Sequence, residues 1–285
     1  VAVYRRTYTS YSGPLTPAWS RFLVLFRYSR RSLFRSKLQT GLFVLCFFYP
    51  IFCLLAVYLA HNLNVLEGLG ANDQFLKIDS KFFFYFVSAQ GSLAFVLTAF
   101  TGPGLISPDL ANGALPLYFC RPFSRAEYVL GKASVLVILL SLITWIPGLV
   151  LFAVQSSLAG PEWAWQHLWI AGSIILSSLI WIAILSLLAM ALSAWVKWRI
   201  VAGALLLAVL FFGAGFGQAI NAVMRTQLGH LTDIGYLMGT IWTSLFRIGG
   251  PRAISTAEAW IALLIYCGIC LALLVRKVRA YEVVK

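Results

Sequence analysis

The sequence predicts an all-α, polytopic membrane protein: six transmembrane helices preceded by an amphipathic helix in the membrane surface. Three observations predict it. Hydrophobic residues make up 61% of the chain and charged residues only 11%, too few charges to tile a water-facing surface. The apolar residues fall in uncharged runs that exceed the roughly 10 to 14 residues of a buried core helix and suffice for the roughly 30 Å of bilayer hydrocarbon. The 22 Lys and Arg residues, which leave a formal net charge of +13, stand beside those runs and not inside them.

The runs are 41–60, 82–106, 133–155, 168–196, 200–217 and 259–275, and none contains Asp, Glu, Lys or Arg. Each charge kept away from a helix centre saves about 2.5 to 3.5 kcal/mol on insertion. The chain divides accordingly into a basic N-terminus (1–40), a six-helix transmembrane domain (41–275) and a basic tail (276–285). Within the domain, residues 102–132 form the long loop on one side and 218–258 the long loop on the other.

Orientation follows from the cations. With the N-terminus placed in the cytoplasm, the inner set is eight residues from Arg5 to Lys37, then Arg121, Arg125 and Lys132, then Lys197 and Arg199, then Arg276, Lys277, Arg279 and Lys285. Only Lys77, Lys81, Arg225, Arg247 and Arg252 remain outside. By the positive-inside rule both termini are expected in the cytoplasm, and loop 102–132 with them. Trp163, Trp165 and Trp169 bunch at the outer end of the third and fourth runs, as in an interfacial aromatic belt.

Ahead of the first run, Thr16-Pro17 reads as an N-cap followed by proline at the first helical position, opening a segment to about residue 38. Trp19, Phe22, Leu23, Phe26, Leu33 and Phe34 share one side of the helical wheel, opposite Arg21, Arg31 and Arg35. That is the pattern of a helix lying in the membrane surface. Arg30 and Lys37 land on the apolar side and must snorkel to headgroups. The alternative is a basic juxtamembrane tail that anchors the topology.

In the outer segment, Ile234, Leu237, Met238, Ile241, Trp242, Leu245 and Phe246 recur at helical spacing. Two arrangements satisfy them: a short helix dipping into the outer leaflet, or a cap folded over the bundle. Gly213-Ala-Gly-Phe-Gly217 suits a close-packing face or the start of an unwound stretch, with packing favoured. Pro147-Gly148 predicts a kink in the third run.

Other functional classes find little support. The cations do not interleave with aromatic residues over a soluble surface, so no nucleic-acid partner is expected. No apolar segment with a small-residue cleavage site precedes the first long run, so no cleaved signal is expected. Cys267-Gly-Ile-Cys270 spells C-x-x-C but sits inside an apolar run with no cation to stabilise a thiolate, so packed free thiols are expected. His61, His167 and His230 stand at predicted outer edges without metal-ligand spacing. Two rivals remain, an intramembrane enzyme and an ion-coupled secondary transporter. Both call for polar or ionisable groups within the spans, and the runs avoid charge.

Loop 102–132 carries most of the functional information. Ser107-Pro108-Asp109 reads as a helix start, with a hydroxyl cap, proline at the first helical position and a carboxylate favourable to the dipole. Asn112, Gly113 and Pro116 limit that helix to a few turns. A second start follows at Ser124-Arg125-Ala126-Glu127, a capping box opening the third span. A short helix held between two membrane helices by Arg121-Pro122 can transmit a push.

At these residues the chain resembles the ABC-2 family of ATP-binding-cassette exporter permeases, in particular the branch associated with multicopper enzyme maturation. The family pattern stands here as Asp109, Asn112-Gly113, Arg121-Pro122, Ser124-Arg125 and Gly131-Lys132. The six-run layout, surface helix, long last outer loop and basic tail are similar too, so the resemblance covers nearly the whole chain. It implies a plasma-membrane permease that pairs with a second permease subunit, as a homodimer or heterodimer. It further implies that separate ABC ATPase subunits dock on the loop from Asp109 to Arg125, with Asp109, Asn112, Gly113, Arg121, Pro122, Ser124 and Arg125 as coupling residues. No G-x-x-x-x-G-K-[ST] occurs in the chain, so ATP and Mg are expected on the partner ATPase, with no catalytic, cofactor or metal residue here. A path lined by apolar, aromatic and hydroxyl side chains suits an amphiphilic substrate.

Overall fold

The computed structural model of the chain describes residues 27, 29, 34, 36–62, 78–115, 124–250 and 252–277. Every regular element among them is helical, and six segments are long and apolar enough to cross a membrane: Lys37–His61, Ser80–Ala111, Arg125–Ala159, Pro161–Trp195, Arg199–Met224 and Thr256–Lys277. The fold is that of a multi-pass integral membrane protein. Most of the surface helix expected over 16–38, the tail beyond residue 277, and Lys77, Cys120, Arg121 and Pro122 lie outside the described residues.

Three of the six spans are broken, each near a proline, because proline offers no N–H to the carbonyl four residues earlier. In the first, α1 (Lys37–Leu45) gives way to α2 (Phe48–His61). Pro50 leaves the Cys46 carbonyl free, and the buried Gln90 amide of the next span donates to it at 3.1 Å. In the second, α3 (Ser80–Thr101) meets α4 (Pro103–Ala111) at Gly102. In the third, α5 (Arg125–Ile143) meets α6 (Trp145–Ala159) at Thr144, three residues before Pro147. The kink expected at Pro147-Gly148 is therefore present, displaced towards the carbonyls that proline strands. A Cβ on Gly148 would stand 2.7 Å from Ile174 and 3.2 Å from Phe86, so glycine is what lets the bent span close on its neighbours.

The fourth span, α7 (Pro161–Trp195), is unbroken and central, packing against α3, α4, α5, α6 and α8 (Arg199–Met224), and against the last span α10 (Thr256–Lys277). Its 35 residues run about 50 Å, well beyond the hydrocarbon thickness. The excess places Trp165 at the outer end, 78% exposed, while Trp163 stacks on His167 at 4.4 Å and Trp169 lies under the Arg247 guanidinium.

The segment between α8 and α10 folds into the bundle. After Met224 the chain turns back along α8 as a 3-10 turn, Leu228–Thr232, and then climbs outward again as α9, Ile234–Leu245. Thr232 Oγ lies 3.0 Å from the Gly213 carbonyl, and Tyr266 donates its hydroxyl to the Thr232 carbonyl at 3.3 Å. Gly213 is eleven residues from the end of α8 and Tyr266 ten from the start of α10, so the turn reaches about 15 Å into the bundle. Leu237, Ile241 and Phe246 of the climbing arm are fully buried. The segment thus packs within the bundle and is not a cap over its end.

Irregular backbone survives at such depth only if its polar groups are satisfied inside the protein. Asn221 accepts the Gly229 N–H at 2.7 Å, and the Asp233 carboxylate caps α9 by accepting the Tyr236 N–H at 3.0 Å. Gly213 and Gly217 are the close-packing face expected of them, but their partner is this turn and not a neighbouring helix. The Gly229 carbonyl occupies the place a Cβ on Gly217 would take. At the turn's upper end Trp242 donates to the Ser177 carbonyl at 3.3 Å and fills the space over Gly91, whose added Cβ would lie 2.6 Å from it.

Candidate coupling site between the second and third spans

The helix expected to start at Ser107 starts earlier, at Pro103. Pro103 takes the first-turn position where a missing N–H costs nothing, and Pro108 lies inside the helix. Ser107 is consequently not a cap. It is fully buried against α7, where its hydroxyl lies 3.0 Å from that of Ser193. Ser193 accepts the N–H groups of Ile106 and Ser107 at 3.2 and 2.9 Å and donates to the Pro103 carbonyl at 3.0 Å. Ser193, on a different helix, thus bonds two amides and one carbonyl of the first two turns of α4.

The C-terminal end of α4 stops as the sequence indicates. Gly113 has φ +61°, Ala114 donates to the Asp109 carbonyl at 2.8 Å, and Gly113 donates to the Leu110 carbonyl at 3.3 Å. This is the Schellman pattern, in which a left-handed glycine lets the last carbonyls be satisfied. Asn112 and Gly113 are exposed at the tip. Across the gap, the capping box is present: Ser124 accepts the Glu127 N–H at 3.2 Å and Glu127 accepts the Ser124 N–H at 2.6 Å. Arg125 opens α5 and is exposed.

The Asp109 carboxylate turns inward from the tip. Its carboxylate lies 2.9 Å from the Lys132 ammonium, with the two side chains 16% and 6% exposed, and accepts the hydroxyl of fully buried Tyr128 at 2.7 Å. Burying either charge alone is strongly unfavourable, and the pair with its extra hydrogen bond relieves that. A cation two turns inside an apolar helix requires such a partner. The geometry ties the last turn of α4 to the second and third turns of α5, so these two helix ends move as one body.

The chain matches no family model and no curated protein. The site is a bracket capped at both edges and cross-linked at its base. Four of the seven residues singled out in the sequence, Asn112, Gly113, Ser124 and Arg125, stand at the edges of the bracket. Asp109 stands at its base, and Arg121 and Pro122 lie outside the described residues. Sequence reasoning missed Tyr128 and the Ser107–Ser193 pair. Lys132 carried a usable signal, a lone cation beside an apolar run with Asp109 and Glu127 as the acidic residues within the loop.

Proposed function

We propose that this chain is the membrane-spanning permease subunit of an ABC-2 type exporter. It works with a second permease subunit and with separate ABC ATPases, and moves an amphiphilic substrate. Supporting this is the Asp109–Lys132–Tyr128 cluster, which makes the inner ends of the second and third spans a stiff knob. Force applied to such a knob passes into α5 and, through the Ser193 bonds, into the central helix α7. A soft loop would absorb the same force. The basic side of the chain, which carries the knob, faces the cytoplasm of the plasma membrane under the positive-inside rule, where ATPases are found.

In this arrangement the exposed Asn112, Gly113, Ser124 and Arg125 meet the ATPase, together with Arg121 and Pro122, which lie outside the described residues, and Asp109 holds the knob's shape. Arg121→Glu is expected to leave the protein inserted while reducing the ATPase recovered with it and lowering ATP-dependent transport. Co-purification and transport in proteoliposomes check this. ATPase recovery and transport both equal to wild type would remove the loop from its assigned role.

A further inference from the structure

A groove of about 780 Å³ runs between α3 and α8, walled by Ala99, Phe100, Gly203 and Leu207 and ending on Trp198 and Arg199 where α8 begins. Its floor is closed because α8 rests on α3 there: a Cβ on Gly203 would lie 2.7 Å from the Ala99 carbonyl. The walls are apolar and belong to two membrane spans, while the Trp198 side chain is 75% exposed. At bilayer depth such a surface is filled by hydrocarbon.

The end of the groove is cationic. Arg199 donates from Nη2 to the Phe100 carbonyl at 3.1 Å, and its Nε would lie 3.3 Å from a Cβ on Gly104. A guanidinium has five N–H donors, and this contact uses one. Lys197 is exposed two residues away. The single ion pair among the described residues is Lys132 with Asp109, so no carboxylate neutralises Arg199 or Lys197 there. Tryptophan beside two cations at a helix end is the signature of the headgroup level.

We propose that this groove binds one anionic phospholipid from the adjoining leaflet, its acyl chain along α3 and α8 and its phosphate on Arg199, with Lys197 beside it. Apolar walls select a chain, and the cations, with no carboxylate partner among the described residues, select the headgroup charge. The site depends on the membrane-spanning fold and not on the ATPase-coupled function, so either can fail alone. Because Arg199 bonds to the end of α3 and lies over the start of α4, an occupied site braces the base of the inner knob.

The test uses the full chain in phosphatidylcholine liposomes containing chain-brominated phosphatidylglycerol or chain-brominated phosphatidylcholine. Quenching of Trp198 is isolated by difference against Trp198→Phe. Brominated phosphatidylglycerol is expected to quench at several-fold lower mole fraction than brominated phosphatidylcholine. Arg199→Gln should cut that preference about fivefold, the effect of one cation near an anionic surface, and Arg199→Lys should keep most of it. Equal quenching by the two lipids, absence of Trp198 quenching, or an unchanged preference in Arg199→Gln would overturn the proposal. Displacement of the brominated lipid by inorganic phosphate would also overturn it, since a bare anion site needs no acyl chain.

Discussion

Replacing Lys132 by methionine leaves the Asp109 carboxylate at the base of the knob with Tyr128 as its remaining partner among the contacts described above. Removing one member of a buried pair costs about 3 to 5 kcal/mol, because the survivor's desolvation is no longer offset. The bond from Tyr128 persists and puts the expectation at the lower end of that range, about 3 kcal/mol. Asp109→Leu strands the ammonium, which a flexible stem can partly carry back to water, so about 2 kcal/mol is expected. The double variant Asp109→Leu/Lys132→Met strands neither charge and should cost less than Lys132→Met alone. Reversible unfolding of the purified protein in lipid or detergent micelles gives the four free energies of the cycle. The charge-swapped variant Asp109→Lys/Lys132→Asp adds a functional arm: an internal pair survives the swap, whereas a docking contact with an ATPase would be reversed in sign. Single-variant costs that add to the double-variant cost within about 0.5 kcal/mol would refute the pairing. An ATPase recovered poorly with the swapped variant, despite restored stability, would return Asp109 to the docking surface.

Ser193→Ala removes the acceptor for the Ile106 and Ser107 amides and the donor to the Pro103 carbonyl. It should destabilise by about 1 to 3 kcal/mol and speed hydrogen exchange at residues 106 and 107; unchanged exchange there would refute the bonds across helices. Gly217→Val puts a side chain where the Gly229 carbonyl lies and should lever the inward-folded turn out of the bundle. A membrane-impermeant maleimide applied from the outer side should then label a cysteine placed at Ile234. In the otherwise native chain that cysteine should stay protected while one at exposed Gln227 reacts. Labelling at both positions would show that the segment lies over the bundle.

Much of the architecture was legible because it depends on quantities that one dimension contains. A run of uncharged apolar residues longer than the hydrocarbon thickness must cross it as a helix, since no other conformation satisfies the backbone there. Hence the six spans, the capping box at Ser124 and Glu127, the glycine stop at Gly113 and the proline break near Thr144 each answered to local chemistry. What local chemistry could not supply was the partner of each polar group. Ser107 and Pro108 spell a helix start whether or not the helix has already begun. It begins at Pro103, which puts Ser107 inside the helix against Ser193, 86 residues away in the chain and next to it in space. Asp109 and Lys132 fall on opposite sides of a loop whose path the sequence does not fix, so only the fold makes them an ion pair. The stretch from Leu228 to Leu245 can lie over the bundle or enter it, because its apolar face is satisfied by either. Asn221, Thr232, Asp233 and Tyr266 decide for entry by satisfying the backbone at depth, and they are gathered from three separate elements. Span number came from the composition of single segments, and the knob, the inward fold and the Ser193 bonds came from contacts between segments.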